Sequence, residues 1–490
     1  MSFAAESTIS EATSGSEETV PNPEAGSSEG GQEANTTGDS SADTEGSSED
    51  GIQESNEVPP TDTFYESKKV KEAYCSDTES LKAALANAST TAGEVSTIYI
   101  TEDIDLTLGE TEYLEVPANT YVTIQSFSGG ERYSLNSTVR SSQTDANNAI
   151  IVHKGKELTL TNIIIDGKSN RRCISVPSAS MGGTLSIQDG TIIRNGGNQT
   201  GSWTSSLPGL GINVAPMMYT VNIYDNTEIT GCNISSSTPT NGTKGKAICL
   251  DGLGITFNMY GGKIYENNDS FDSEFEYSSS RPILGATGTV YCSGRVNIFG
   301  GEIYNNQSIG GPAVYITSVF PCEISNGAKI YNNVFDSCEA DKIAAVGKNV
   351  GVSWHSCDAG GIYKIGNGML TINGAEIKNN TVKGASEYIT SHKLTGGGIR
   401  IAGGTVKMVG GSINNNSVES TLESASSEDY KNIAVANGGG VYVQSGTFEM
   451  TGGTITENTA TAVDGTNTQA GNGGGVYVAT DGSTTSGTGA

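Results

Sequence analysis

From about residue 150 onward, apolar residues of this chain come in pairs two apart, with a polar residue inside each pair. The pairs are Leu158/Leu160, Leu185/Ile187, Val221/Ile223, Phe257/Met259, Val296/Ile298, Cys322/Ile324, Leu370/Ile372, Val406/Met408 and Phe448/Met450. Between them stand Thr159, Ser186, Asn222, Asn258, Asn297, Glu323, Thr371, Lys407 and Glu449, all polar. Such alternation turns one side of the chain inward and the other outward, which is the signature of a strand.

A second strand follows each pair, marked by Ile165, Ile192, Ile229, Ile264, Ile303, Ile330, Ile377, Ile413 and Ile455. The step from the pair is seven residues in most units and eight in two. From Ile192 on, three residues past the isoleucine stands Asn195, Asn267, Asn306, Asn333, Asn380, Asn416 or Asn458, with Cys232 as the exception. A first strand precedes each pair, as in Val290-Tyr-Cys292, Val314-Tyr-Ile316, Val441-Tyr-Val443 and Val476-Tyr-Val478. Three short strands per unit with two near-constant turns predict one coil of a three-sided solenoid.

The third turn absorbs the variation in length. Asn306 to Val314 is 8 residues, Asn195 to Ile212 is 17 and Asn333 to Ile362 is 29. Insertions in a stacked solenoid gather on one edge, so these loops are expected to form a ridge, and variable loops on a rigid scaffold are where recognition usually resides.

Upstream the period is different. Ser76-Asp-Thr-Glu79 has the form of a capping box. Leu81, Ala84, Leu85 and Ala88 then follow at helical spacing, with Gly93 as the expected stop. Residues 1–66 carry 16 carboxylates and no Lys or Arg. They hold almost nothing to bury, so the segment reads as a disordered spacer. The expected organisation is an acidic spacer over 1–67, an N-terminal cap with its helix over 68–95 and the solenoid over 96–490. After Val478 the repeat breaks into ATDGSTTSGTGA, so the chain reads as truncated at its C-terminal side, with secretion and anchoring signals outside it.

The repeats GGG[IV]xV … GG[TS]IxxN, clearest at 438–458, resemble those of bacterial surface β-helix proteins of the adhesin-like type. They are also similar to the repeats of polymorphic outer-membrane proteins. More broadly the pattern resembles the right-handed parallel β-helix of the pectate-lyase-like superfamily, and it covers roughly residues 78–490. The resemblance implies an all-β, right-handed three-sided parallel β-helix with a capping helix and an internal asparagine ladder. It also implies an extracellular or cell-surface, bacterial location and an adhesin-like stalk that attaches to a glycan or protein receptor through loops on one edge. The superfamily also contains polysaccharide lyases, glycoside hydrolases and phage tailspikes, so fold does not select among these; a lyase or hydrolase and a non-binding structural spacer are the alternatives for this chain.

Composition narrows the partners. The chain has 490 residues with 27 Lys+Arg against 55 Asp+Glu, a net charge of −28 that repels phosphate backbones and excludes nucleic acid. No apolar run approaches the ~18 residues that span a bilayer, so no membrane insertion is expected in this stretch.

Candidate chemistry is sparse. Glu228, Lys263, Glu302, Lys329 and Glu376 alternate in sign on five successive coils and predict a ladder of ion pairs, as do Lys407 and Glu449 on adjacent coils. Tyr265, Tyr304 and Tyr331 follow the isoleucine column and should point outward, as should Tyr291, Tyr315, Tyr442 and Tyr477 of the first strands. Rows of rings about 4.8 Å apart can stack on sugars, although tyrosine also favours strands in its own right. Trp203 and Trp354, the only tryptophans, fall in third-turn loops, where they either meet a ligand or pack the loop down.

No catalytic set is identified. The polygalacturonase-type motifs are absent, and His153, His355 and His392 lack that context. Asp166, Lys168, Arg171 and Arg172 read as a solvated corner. Cys338, His355 and Cys357 are too few and too widely spaced for zinc; a Cys338–Cys357 disulfide or free thiols are the alternatives. No cofactor is implied. The acidic insert 269–277 is the one place suited to Ca²⁺ or a basic partner, and no calcium motif supports it.

Overall fold

The computed structural model describes residues 70–479, apart from 128–129, 143–147, 181, 198–208, 237–243, 272–287, 309, 338–357, 387–390, 423–432 and 465–466. The acidic spacer and the end of the chain therefore lie outside the described residues, as do Trp203, Trp354, Cys338, His355 and Cys357.

The chain winds into a parallel β-helix. Middle strands stack in parallel from Val70–Cys75 to Thr447–Met450. Their registers place Leu158, Leu185, Val221, Phe257 and Val296 in one column. Second strands stack beside them. Two long strands, Met369–Lys378 and Thr405–Asn414, run round the corner and join both faces into one 21-stranded sheet. First strands form the third side, an 11-stranded sheet. The paired residues of the middle strands up to Met408 are buried in one continuous core, where each contributes roughly 1.5–3 kcal/mol.

The second-strand column corrects the sequence reading at one rung. Ile193, not Ile192, is in register with Ile165 and Ile229 and is fully buried. The corner Asp189-Gly190-Thr191 uses one more residue than that of the preceding coil, as Asp225-Asn226-Thr227 does after it, and two adjacent isoleucines conceal the shift.

The asparagine ladder moves with it. Asn267, Asn306, Asn333, Asn380, Asn416 and Asn458 form it. Each amide Nδ2 donates to the carbonyl of the preceding coil's isoleucine, as in Asn333 to Ile303 at 2.9 Å. Along the column each Nδ2 and backbone N–H up to Asn416 donates to the next Oδ1, as Asn333 does to Asn380 at 2.9 and 3.1 Å. Asn195 is not a member. It sits one position earlier, at φ +52°, in a left-handed column shared with Asn305, Asn332, Asn379 and Asn415. Asparagine tolerates that conformation better than most residues.

The helix, Thr78–Ala86, lies between the first two middle rungs and buries Leu81 and Leu85 against the core. Its cap is Asp77, one residue later than expected. Asp77 Oδ1 accepts from Ser80 N at 2.7 Å while Ser80 Oγ accepts from Asp77 N at 3.3 Å. The helix ends at Asn87, whose Nδ2 bonds the Ala83 carbonyl at 2.8 Å, well before Gly93.

The third-turn excursions are more than loops. Val334–Asp336, Thr381–Ser386, Ser417–Leu422 and Thr459–Asp464 stack in parallel within a six-stranded sheet. Ser391–Thr395 pairs with Ile433–Asn437. Phe335, Val382, Leu394, Val418, Ala434, Ala436 and Ala462 form a second small core. Stacking on the next coil satisfies backbone groups that a bare excursion would leave open.

This ridge also covers rings expected to be exposed. Tyr291 and Tyr442 are buried, as is Tyr363. They belong to a column in which Tyr291, Tyr315 and Tyr363 stack at 5.3 and 4.8 Å. The Arg400 guanidinium continues it between Tyr363 and Tyr442 at 5.3 and 5.7 Å, and Tyr477 follows Tyr442 at 5.6 Å. Asp358 forms a buried ion pair with Arg400 and accepts from Thr395 N at 2.7 Å, tying the ridge to the column.

Asp166 is likewise no solvated corner. Asp166, Arg171 and Arg172 are buried, and Arg171 bonds the carbonyls of Val139, Glu112 and Gly109 at 2.5–2.8 Å. Burial alone raises the Asp166 carboxyl. Bonds from Asn195, Lys168 and Arg194 outweigh it and hold the group below its ordinary value.

Lys364 points into the solenoid in the column of Ile316 and Ile401. Among the described residues its ammonium meets only the carbonyls of Ile365 and Gly366, at 2.9 and 2.7 Å. Burial lowers its pKa to about 8. An unfolded lysine titrates near 10.4, so the folded state holds the proton less well, and the penalty of about 3 kcal/mol is complete below pH 8. It is relieved as pH rises from about 8 toward 10.4. Lys364→Met should therefore raise stability at pH 7 by about 1–2 kcal/mol, after loss of two carbonyl bonds. It should also abolish the rise in stability between pH 8 and 10. Urea unfolding at both pH values checks this; a destabilised, still pH-dependent variant would contradict it.

Candidate functional site

The corner between the middle and second strands changes character along the axis. Upstream coils carry Asp189-Gly190 and Asp225-Asn226-Thr227 there, whereas the next coils carry Gly261-Gly262 and Gly300-Gly301. The glycines are required. A Cβ on Gly261 would stand 1.7 Å from Asp225 Oδ1, and one on Gly301, at φ +87°, would stand 2.6 Å from the Gly261 carbonyl. The bare corner leaves a groove of about 630 Å³, walled by Asp189, Asp225, Glu228 and Glu302 with Lys263 and Arg132.

Two aromatic stacks flank it in the chain. Tyr224, Tyr260 and Phe299 each stand directly before the corner and stack at 5.2 and 5.5 Å. Tyr260 is 44% exposed and Phe299 36%. On the second-strand side Tyr265, Tyr304 and Tyr331 stack at 5.2 and 5.0 Å, nearly parallel at 5° and 3°. Their faces are thus turned toward one another, and Lys378 lies 5.9 Å from the Tyr331 ring. What the second stack offers outward is ring edges and hydroxyls.

The charge column explains the walls. Glu228, Lys263, Glu302, Lys329 and Glu376 are in register as expected. Only Lys329 and Glu302 make an ion pair within the column, at 3.3 Å. Glu228 instead accepts from Tyr265 Oη at 2.6 Å, and Glu302 also accepts from Tyr331 Oη at 3.2 Å. Burial, then the neighbouring carboxylate, raises both phenols, Tyr331 to about 12. Glu376 pairs with Lys378 in its own strand at 2.7 Å. Lys407 and Glu449 stand in register without an ion pair. Among the described residues, the side chains of Asp189, Asp225, Lys263 and Arg132 make no hydrogen bond or ion pair.

The groove therefore presents donors and acceptors not used internally, on a corner spanning several coils. Sequence reading singled out Tyr265, Tyr304 and Tyr331 as outward rings and Glu228, Lys263 and Glu302 as a charge ladder, without joining either to a groove. It missed Asp189, Asp225, Arg132 and the Tyr224 stack. The missing signal was a column immediately after the apolar pair, Tyr224, Tyr260, Phe299, followed by replacement of Asp by Gly. A second outer ladder was also missed: Asn258 donates to Asn222 at 3.0 Å and Asn297 to Asn258 at 2.8 Å.

Among the described residues no group of three or more His, Cys, Asp or Glu is placed to hold a metal ion. His153 is buried with its pKa lowered to about 4 by desolvation, and its Nε2 lies 3.3 Å from the Thr184 carbonyl. The side chain of His392 is outside the described residues. The six described cysteines are buried and unpaired. The chain matches no family model, no curated protein and no solved structure.

Proposed function

We propose that the chain is an extracellular, adhesin-like β-helix stalk that binds a cell-surface glycan, and that the glycine corner is where binding occurs. The observation that carries this reading is the groove itself: an open trough with free carboxylates, a lysine and an arginine. Sugar hydroxyls need such a mixture of acceptors and donors, and the exposed rings of Tyr260 and Phe299, next to the corner in the chain, add apolar surface beside it. The surface role and the pectate-lyase-like kinship rest on the resemblance of the repeats. The acidic balance of the chain supports a partner other than nucleic acid.

A second reading is favoured by one feature of the same groove. Asp189, Asp225 and Glu228 stand with Lys263 in one trough, and clustered carboxylates with a cation are what polysaccharide cleavage requires. One experiment separates the two. The full chain is incubated with acidic and neutral polysaccharides, with Ca²⁺ or EDTA, and both retention on immobilised polymer and polymer length are measured. Retention without shortening, weakened at least tenfold in Asp225→Ala and Tyr260→Ala, is the expected result. Shortening would establish a lyase or hydrolase. Neither retention nor shortening would leave a spacer or a protein-receptor role and overturn the glycan reading.

A further inference from the structure

Building on the glycan reading of this groove, we propose that its ligand is a non-anionic, extended polysaccharide lying parallel to the solenoid axis, with one sugar residue per coil. The direction comes from the lining. Arg132, Asn162, Asp189, Asp225, Lys263 and Glu302 belong to six successive coils, and Gly327 extends the trough to a seventh. At about 4.8 Å between coils this makes a trough roughly 30 Å long. A globular small molecule would use a fraction of it.

The repeat sets the period. Each coil contributes at least one corner residue, and three successive coils add the outward second-strand residues Glu228, Lys263 and Glu302, so the contacts recur at the coil spacing. That spacing is close to the length of a single pyranose unit in an extended polymer. The glycine floor keeps the trough continuous, because Gly261 and Gly301 leave no side chain to divide it and cannot accept one.

The charge selects the class. Four carboxylates meet Lys263, Arg132 and, at Glu302, its partner Lys329, which leaves the walls at −1 on a chain whose net charge is −28. A polyuronate or sulfated chain would place anions against the carboxylates of three coils, those of Asp189, of Asp225 with Glu228, and of Glu302, and like charges facing each other across an interface are strongly disfavoured. Hydroxyl or amino groups instead complete the free acceptors of Asp189 and Asp225. A basic peptide is disfavoured by Lys263 and Arg132, which sit within the same trough.

The test is calorimetric titration of the full chain with linear neutral oligosaccharides of increasing length and with oligogalacturonates of matched length. Affinity should rise with each added sugar and level off at about six or seven units, the number of coils in the trough. Oligogalacturonates of equal length should bind at least tenfold more weakly. The double variant Asp225→Asn/Glu228→Gln should narrow that gap, and Lys263→Glu should widen it, with melting curves showing that both fold. Equal binding of uronates, affinity independent of length, or displacement by oligolysine in preference to glycan would overturn this inference while leaving glycan binding intact. Binding of no glycan at all would overturn both.

Discussion

Asn333→Ala should destabilise the solenoid by about 3–5 kcal/mol, whereas Asn195→Ala should cost about 1–2 kcal/mol. Asn333 is fully within the ladder. Its Nδ2 donates to the Ile303 carbonyl and to Asn380 Oδ1, and its Oδ1 accepts from the backbone N–H and Nδ2 of Asn306. Alanine removes these bonds and leaves a buried Asn306 N–H without a partner. A net bond is worth about 1 kcal/mol, and a stranded buried donor costs about 1–3 kcal/mol more. Asn195 loses one side-chain bond, to Asp166 Oδ1 at 3.0 Å, and alanine accepts its positive φ at a modest cost. Urea unfolding of the two variants decides the matter, with hydrogen exchange over residues 303–380 reporting where the loss falls. Equal effects would show that the ladder is not cooperative along the column.

The second large effect lies in the ridge. Asp358→Ala should cost about 3–5 kcal/mol, because it removes the Asp358 carboxylate from the buried Arg400 guanidinium. Arg400 is held between the rings of Tyr363 and Tyr442, so it cannot simply turn to solvent. Asp358 also accepts from Thr395 N and Oγ1, at 2.7 and 3.2 Å. Loss should therefore appear first as faster hydrogen exchange in Ser391–Thr395, before the main core responds. The double variant Asp358→Ala/Arg400→Met should recover most of the stability, since an apolar side chain in that slot carries no charge to strand. If the double variant is as unstable as the single one, the ridge is held by Thr395 and the small core rather than by the ion pair.

The two results bear on how the protein is built. The asparagine ladder acts within the main solenoid, and the Tyr–Arg column acts between the solenoid and its ridge. Only the first was legible in the sequence. Its signal was a single residue type at constant distance from an apolar column, and constancy is what stacking imposes. The second has Tyr291, Tyr315, Tyr363, Arg400, Tyr442 and Tyr477 in one register. The tyrosines were visible as a row, but their burial was not. Whether an outward side chain is exposed depends on what a distant excursion does, and excursions of different length share no period.

The site divides in the same way. Tyr265, Tyr304 and Tyr331 were identified from spacing, and so were the alternating charges behind them. The partners of those charges were not. Glu228 takes a tyrosine hydroxyl from the next coil in place of Lys263, and that exchange leaves the lysine facing the groove. Sequence register states which residues are neighbours. It does not state which of several neighbours a flexible side chain selects.

By itself the sequence determined the solenoid: strand-forming alternation, three strands per coil, the capping helix and the asparagine column all follow from local periodicity. Stacking repeats the same contact on each coil, so a local rule applied many times yields a global fold. Tertiary structure alone decided the corrected rung at Ile193, the second core under the ridge, the burial of the Tyr–Arg column and the trough at the glycine corner. Each arises where a coil differs from its neighbours by one residue or by an excursion. The consequence then depends on the space the adjacent coils leave, which no single repeat encodes.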